Sequence, residues 1–353
     1  MNAGSYLLRY AVAVIAVAPM LSGCTWLARY ERAISSNRIV ADVAQPANEP
    51  TDTADTADVH VAFQPRQGFI AQTSALSPQD ALKSFTLAPG FEVQLVASEP
   101  DIQKPMQLAF DERGRLLVST STDYPLGPVQ GREPADRVML LEIDGATGAA
   151  TKINTFAEGF NICSGLESLP GGRVVLAHAP DILLLTDTDG DGKADARETL
   201  YTGFARDDTH EIPNSFTWGI DGWLYGLQGH VNVSNVRDKS GRVTPIRYGN
   251  VYRMRPDGSQ IEVWARGMSN PWGLAFDRNQ NMYAADCESR PIWQIVQGLP
   301  YQGFQQPVDP LGFAPYITED PHGASGFAGL VCYTDDAYPA AYRDCLFLGN
   351  PIT

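Results

Sequence analysis

The chain has 353 residues, of which 44% are hydrophobic, and a formal net charge of −15. This length and apolar content are sufficient for a sizeable core. The acidic excess, without any cluster of basic residues, argues against nucleic-acid binding, because the phosphate backbone repels an acidic surface. Frequent glycine (32 residues) and proline (25 residues) favour turn-rich β structure.

The first 24 residues are typical of a lipoprotein signal peptide. A segment with one arginine precedes a short apolar run, and Leu-Ser-Gly-Cys follows at residues 21–24. The run is too short to span a membrane comfortably. The small residues before Cys24 resemble a bacterial lipobox and predict cleavage before Cys24, lipidation of its thiol, and a lipid-anchored protein of the cell envelope, on the periplasmic or outer-membrane side. An ordinary signal peptide with an incidental cysteine is the alternative.

Residues 25–75 predict a disordered acidic tether, because this stretch is rich in Pro, Thr, Ala and Asp and has little to bury. Ser77 and Pro78 then predict a short helix, with the serine as N-cap and the proline in the first turn. Residues 76–353 are expected to form one domain.

A repeat runs through this domain. Four segments consist of an apolar strand, a tight polar turn and a second apolar strand, and their turn residues Gly114, Gly172, Gly222 and Asn279 are 58, 50 and 57 residues apart. Residues 329–349 are a fifth copy with a longer turn. Such a period, with several strands and little helix, predicts an all-β fold of the β-propeller type. A β-sandwich would not produce five matching hairpins, and a β-helix has shorter coils.

The two ends of the repeat predict an incomplete ring. Residues 91–100 resemble an outer strand that stands alone, as in closed propellers where such a strand completes the last blade. The chain stops midway through the fifth blade, after about four and a half blades. Because an open ring would expose strand edges, we expect the sequence to be a C-terminally truncated fragment.

Residues 187–198 match the consensus of a calcium-binding loop. Oxygen ligands at this spacing, with Gly192 at the turn, suit Ca²⁺; they are Asp187, Asp189, Asp191, the carbonyl of Lys193, Asp195 and Glu198. The flanking segments are predicted strands, so the loop is expected to join the third and outer strands of one blade and the ion to be structural. A solvated acidic turn is the alternative.

Four cysteines remain after Cys24. Cys332 and Cys345 flank one predicted hairpin, and an envelope location permits a disulfide between them. The spacing of the cysteines predicts neither a metal site nor a haem attachment site.

Five segments, residues 76–118, 180–195, 218–229, 266–277 and 329–349, resemble in this order the membrane-bound dehydrogenase domain of the PVC type. That family is related to the soluble quinoprotein glucose dehydrogenase and sorbosone dehydrogenase propellers. The resemblance covers roughly residues 76–353 and implies a six-bladed propeller. By analogy it implies a pyrroloquinoline quinone (PQQ) cofactor, oxidation of a sugar or alcohol, and a cytochrome as candidate electron acceptor. A fold-level analogy is a weak warrant for function.

The resemblance also implies a site on one face of the propeller, formed by loops that enter the inner strands and loops that join second to third strands. His210 is the implied general base, because histidine supplies a near-neutral pKa. The implied cofactor-binding residues are Asn161, Asn270, Arg290, His322 and His230. Ser269 departs from the family pattern, which has an arginine at this position, so either Arg290 from the neighbouring loop substitutes for it or this propeller no longer binds quinone.

Two other functions are compatible with the same fold. One is a non-catalytic envelope propeller that binds glycans or a partner protein. The other is a lactonase-like hydrolase, which would need a carboxylate-rich metal site drawn from residues such as Glu167, Asp286 and Glu288.

Overall fold

The computed structural model describes residues 12–16 (backbone only), 76–89, 91–125, 127, 131–288, 292–303, 312–315 and 326–349. Cys24, the tether at 25–75, Arg290 and His322 lie outside these ranges, so the predictions made for them stay predictions. Among the described residues, no helix is both long and apolar enough to cross a membrane.

The helix predicted after the tether is present and is the single α-helix of the described ranges. Helix α1 spans Pro78–Ser84, and the Ser77 hydroxyl oxygen accepts a hydrogen bond from the Asp80 amide at 3.1 Å. Strand β1 (Val12–Ala16) lies within the predicted signal peptide and pairs antiparallel with β2 (Glu92–Ala97). The prediction that residues 91–100 form a strand that stands alone is therefore wrong. A strand edge exposes unpaired amide and carbonyl groups, and β1 satisfies those of β2.

The remaining strands form five antiparallel sheets. In chain order the strands are β3 (Pro105–Phe110), β4 (Leu116–Thr120), β5 (Asp136–Ile143), β6 (Ala150–Phe160), β7 (Gly165–Leu169), β8 (Arg173–His178), β9 (Asp181–Thr186), β10 (Ala196–Thr202), β11 (Asn214–Trp218), β12 (Leu224–Gln228), β13 (Ser234–Arg237), β14 (Val243–Ile246), β15 (Asn250–Met254), β16 (Ile261–Arg266), β17 (Pro271–Phe276), β18 (Met282–Asp286), β19 (Ile292–Ile295), β20 (Ala328–Tyr333) and β21 (Cys345–Gly349). A short 3₁₀ helix, Ala340–Tyr342, precedes β21.

Each sheet is one blade. Blade 1 is β3-β4-β5-β6, blade 2 is β7-β8-β9-β10, blade 3 is β11-β12-β15-β16, blade 4 has the described strands β17-β18-β19, and blade 5 has β20-β21. The hairpin β13-β14 leaves blade 3 and extends blade 2, where Arg237 pairs with Thr202. The first strands contact one another in succession, β3 with β7, β7 with β11, β11 with β17 and β17 with β20. This radial order of first strands is that of a β-propeller, which confirms the predicted fold.

The core lies between consecutive blades. Between blades 2 and 3, for example, Val175 and Ile182 pack in one cluster with Phe216, Leu224 and Tyr252. The second strand of a blade is covered on both faces, so every residue of β4 and of β12 is buried. This explains why consecutive apolar residues, such as Leu116, Leu117 and Val118 in β4, replace the alternation of a half-exposed strand.

The predicted disulfide is not formed. Cys332 and Cys345 are free thiols, and they are not opposite one another. Cys332 faces Leu346 and Cys345 faces Tyr333 across the β20-β21 pair. A one-residue offset places successive side chains on opposite faces of a sheet, which separates the two thiols.

A glycine positions the loop that enters blade 4. Gly267 adopts φ +106° directly after β16, and a Cβ atom there would lie 1.9 Å from the carbonyl oxygen of Tyr301. The amide of Tyr301 donates to the carbonyl of Arg266 at 2.8 Å, so the two backbone segments are held in direct contact. The close approach therefore sets the course of the loop that carries Ser269 and Asn270.

We predict that Gly267→Ala lowers the free energy of unfolding much more than Gly114→Ala. Gly114 has φ +74° in a hairpin turn with open space around it, so alanine there costs about 1–2 kcal/mol of left-handed strain. Gly267→Ala adds overlap with backbone atoms, which costs at least ~2 kcal/mol more. Urea unfolding followed by circular dichroism compares the variants, and equal losses would contradict the close-approach argument.

Candidate functional site

The loops that enter first strands and those that follow second strands lie at the same end of the sheets, because neighbouring strands alternate in direction. Backbone hydrogen bonds join these loops, two of them each within one blade and one, from His230, between blades 3 and 4. The Gly229 amide donates to the carbonyl of Glu211 at 3.0 Å, the His230 amide to that of Ser269 at 3.0 Å, and the Cys287 amide to that of Asn270 at 2.9 Å. The four described candidates of the sequence analysis, Asn161, His210, His230 and Asn270, are therefore all on this face, which we call the loop face.

His210 is held by a carboxylate. Its Nδ1 lies 2.8 Å from Oδ1 of Asp208, and its backbone amide donates to the same oxygen at 2.9 Å. The side chain is 54% exposed. Among the described residues no hydrogen bond engages Nε2. The imidazole thus has one nitrogen fixed by an acidic group, and its other nitrogen makes no hydrogen bond to a described residue, the arrangement expected of a general base.

An aromatic ring lies beside His210, and a second ring lies beside the first. The ring of Tyr124, from the loop after β4, meets the His210 ring edge to face at a centroid distance of 5.5 Å. Trp272, from the start of β17, lies 6.3 Å from Tyr124. Burial raises the pKa of Tyr124 to about 12, and the neighbouring Cys287 and Asp208 act in the same direction. Tyr124 therefore stays a neutral hydroxyl next to the histidine.

Both polar atoms of the Asn161 side chain form hydrogen bonds with other residues of the chain. Its Nδ2 donates to Oδ2 of Asp123 at 2.6 Å, and its Oδ1 accepts from the guanidinium of Arg206. Arg132 pairs with Asp123, and Arg206 also donates to the Ala179 carbonyl at 3.0 Å. Both ends of the amide thus connect the loops of blades 1 and 2, and the cofactor-binding role of Asn161 stays a prediction.

Ser269 occupies the position where the resembling family has an arginine, and it is fully buried. Its amide donates to Oδ2 of Asp286 at 2.8 Å, while the amide of Asn270 donates to Oδ1 at 3.0 Å. Asp286 thereby fastens the entry loop of blade 4 to the second strand of the same blade. The side-chain oxygen of Asn270 is buried, and none of the described residues forms a hydrogen bond with it.

A histidine and two glutamates meet beside this loop. Nδ1 of His230 lies 2.9 Å from the Ser269 carbonyl oxygen and 3.0 Å from Oε1 of Glu211. Glu288, which follows β18, offers a carboxylate oxygen to the same group. Burial raises the pKa of Glu211, and the charges of Asp208 and Glu288 add to the rise, which hydrogen bonding by Val231 and the charge of His230 oppose.

Cys287 and Glu167 take no part in this group. The Cys287 thiol donates to the Phe327 carbonyl at 2.9 Å, and burial followed by the charges of Asp286 and Glu288 raises its pKa to about 12. Burial raises the pKa of Glu167 on β7 to about 7. Of the three carboxylates considered for a lactonase-like metal site, only Glu288 belongs to the cluster that the described residues form.

The charge of the loop face does not suit PQQ, a cofactor that carries several carboxylates. The face carries many acidic side chains of the described residues, among them Asp123, Asp136, Asp207, Asp208, Glu211, Asp286 and Glu288. The arginines nearby, Arg132 and Arg206, are engaged by Asp123 and Asn161. Ser269 cannot supply the missing guanidinium. The described residues therefore do not form a site for an anionic quinone.

Sequence reasoning missed Asp208 and Glu211 as members of the site. Both flank His210, and acidic residues on either side of a loop histidine were the available signal. The signal is weak, because charged loop residues are common and only the contacts with His210 and His230 distinguish these two.

The predicted calcium loop joins β9 to β10, as expected. The Asp187 amide donates to the carbonyl of Gly172 at 2.9 Å, which places the loop beside the β7-β8 turn, at the end of the blade opposite the loop face. Carboxylate oxygens of Asp187, Asp189 and Asp191 lie within 4.8 Å of one another. The three carboxylates therefore form the core of the predicted ligand set.

The other predicted ligands interact with residues outside the group of three carboxylates. Asp195 accepts from the Thr188 hydroxyl at 2.6 Å, and Glu198 on β10 forms an ion pair with Lys239 at 2.6 Å. Asp187 itself accepts from the amides of Gly190 and Gly192 at 2.7 and 2.9 Å. The turn is thus closed by its own backbone donors, and calcium binding stays a prediction.

We predict that Ca²⁺ raises the melting temperature of the chelator-treated protein and that Asp189→Asn abolishes most of this rise. The ion would relieve repulsion among three adjacent carboxylates on a turn between two strands. Thermal unfolding with and without Ca²⁺ measures the effect, and Asp144→Asn, in an acidic turn of blade 1, is the matched control. A melting temperature that does not respond to Ca²⁺ would refute the structural role.

Comparison with solved structures finds several chains of low identity and partial structural similarity. A protein described as an oxidoreductase (glucose dehydrogenase) from Thermus thermophilus is 18% identical over 70% of this chain and 76% of its own, with a TM-score of 0.49. The PQQ-bound aldose sugar dehydrogenase of Streptomyces coelicolor is 21% identical over 65% and 72%, with a TM-score of 0.46. The PQQ domain of pyranose dehydrogenase from Coprinopsis cinerea is 17% identical over 60% and 50%, with a TM-score of 0.41. Similarity at this level does not carry a cofactor or substrate over to this chain.

Comparison with curated protein sequences finds no match. A family model, in contrast, matches residues 77–353, which is most of the chain and the whole of the propeller. The chain therefore belongs to the family described as a domain of unknown function (DUF7133).

Proposed function

We propose that the chain is an oxidoreductase that oxidises a hydroxyl group of a sugar or alcohol on the loop face. The observation that carries the proposal is the exposed imidazole of His210, fixed at Nδ1 by Asp208 and bordered by the ring of Tyr124. A sugar can stack on an aromatic ring while its hydroxyl group approaches a histidine. The resemblance of residues 76–353 to dehydrogenase propellers supports the same reaction class.

His210 would act on the oxygen of the substrate. Oxidation of an alcohol to a carbonyl removes a proton from oxygen and a hydride, with its two electrons, from carbon. Nε2 of His210 takes the proton, and Asp208 stabilises the imidazolium that results. The hydride goes to an external two-electron acceptor, since the described residues form no site for PQQ.

We predict that His210→Gln lowers kcat about 10²- to 10⁴-fold, because the general base is lost. Asp208→Asn is expected to lower kcat with little change in KM, since it orients the base without touching substrate. Asp144→Asn, far from the loop face, is the control and should behave as wild type. Reduction of a redox dye is followed with a panel of aldoses and alcohols, with and without added PQQ and Ca²⁺.

Two outcomes would decide against the proposal, and a third would change only the electron acceptor. Absence of dye reduction with every substrate rejects oxidation, and retained sugar binding in that case identifies a glycan-binding propeller. Unchanged kcat in His210→Gln rejects the assigned base. Activity that requires PQQ would show that the cofactor binds despite the acidic face, with residues outside the described ranges such as Arg290 contributing.

We also propose that Cys24 carries a lipid anchor at the cell envelope, on the basis of the lipobox-like residues before it. Cys24→Ser is expected to move the protein from the membrane fraction to the soluble fraction on cell fractionation. Retention of the Cys24→Ser variant in the membrane fraction would reject the anchor, and Cys345→Ser serves as the matched cysteine control.

A further inference from the structure

We propose that Glu211, His230 and Glu288 bind a divalent cation of the Zn²⁺ or Mn²⁺ class on the loop face. One ligand atom from each of the three residues lies within 4.8 Å of the others. Imidazole nitrogen suits zinc, and carboxylate oxygen suits both ions. The inference does not depend on oxidation of a sugar or alcohol.

The three ligands come from separate loops that the fold brings together. Glu211 lies in the loop that enters β11, His230 follows β12, and Glu288 follows β18, so blades 3 and 4 both contribute. Ligands around one zinc ion lie about 3–4 Å apart, given metal–ligand bonds of about 2 Å. Oε1 of Glu211 already contacts the His230 ring, 3.0 Å from Nδ1, and one ring nitrogen lies within 4.8 Å of a carboxylate oxygen of each glutamate.

The cluster contains more acidic than basic groups, and a cation would balance this negative charge. Glu211 is 3% exposed, and neither Glu211 nor Glu288 forms an ion pair with a lysine or arginine of the described chain. Asp208 adds a third carboxylate in the same loop as Glu211. The Val231 amide and His230 compensate the buried carboxylate of Glu211 in part, and a divalent ion would neutralise both glutamates.

The surroundings of His230 are those of a metal-binding histidine. The backbone carbonyl of Ser269 contacts Nδ1 at 2.9 Å, and such a contact fixes the ring and orients it for an ion. Asn270, the next residue, is 6% exposed, and its side-chain oxygen has no hydrogen-bond partner in the part of the chain that the structure describes. The backbone amides of Ser269 and Asn270 both donate to the carboxylate of Asp286. Asn270 therefore lies where the loop that enters blade 4 meets the end of β18. A metal-bound water would supply the missing partner.

The site is distinct from the predicted calcium loop. Asp187, Asp189 and Asp191 offer only oxygen ligands and lie at the opposite end of blade 2, whereas this cluster contains a nitrogen ligand. The two sites therefore predict different metal preferences, with Ca²⁺ in the loop and Zn²⁺ or Mn²⁺ on the loop face.

The test is calorimetric titration of the chelator-treated full chain with Zn²⁺ and with Mn²⁺, in the presence of excess Ca²⁺. We expect one equivalent to bind. Glu288→Gln should weaken binding at least 10-fold, and because Glu288 is exposed, this variant should fold. His230→Gln is the second ligand variant, with circular dichroism as the folding check. Asp189→Asn is the matched control and should bind as tightly as wild type.

Two results would overturn the site: no saturable binding of either ion to the wild-type chain, or equal affinity in wild type, Glu288→Gln and folded His230→Gln. A loss of affinity in Asp189→Asn alone would assign the bound ion to the calcium loop and reject the proposal. Since substrate is absent from the titration, failure of the dye-reduction assay leaves this result unaffected.

Discussion

Burial of the second strand of each blade between its two neighbours is the constraint on which the rest of the structure depends. Every residue of β4 and β12 is buried, and the apolar clusters lie between blades rather than within them. At about 25 cal/mol per Å² of apolar surface, this packing is the main stabilising contribution. It also turns successive sheets around one axis, and so places loops from distant parts of the chain over the same face.

Acidic residues on that face serve two different purposes. Asp136 accepts from the Ile162 amide at 2.7 Å, and Asp286 accepts from the amides of Ser269 and Asn270. In both cases a buried carboxylate at the end of a strand is satisfied by backbone donors of an entry loop, and it holds that loop in place. Glu211 and Asp208 differ, because their main side-chain partners are histidines, and a histidine pair can exchange a proton or share a cation.

Local features of the sequence predicted local structure well. Spaced turn glycines indicated the blade repeat, Ser77 and Pro78 indicated α1, and the acidic spacing placed Asp187, Asp189 and Asp191 in one turn. The same reasoning placed His210, His230 and Asn270 on the correct face, because their positions relative to the hairpins are a matter of chain order. It failed for the disulfide, since a one-residue offset between β20 and β21 is not visible in cysteine spacing.

The sequence by itself therefore determined the strands, their repeat and the face on which each loop emerges, because these follow from short-range patterns of apolar, turn and capping residues. Only the tertiary structure decided which side chains meet. His230 lies 19 residues after Glu211, and Glu288 lies 58 residues after His230. Asn161 lies 38 residues after Asp123, to which it donates a hydrogen bond. Such pairings depend on how neighbouring blades pack, and packing is set by the fit of many side chains at once rather than by any local pattern.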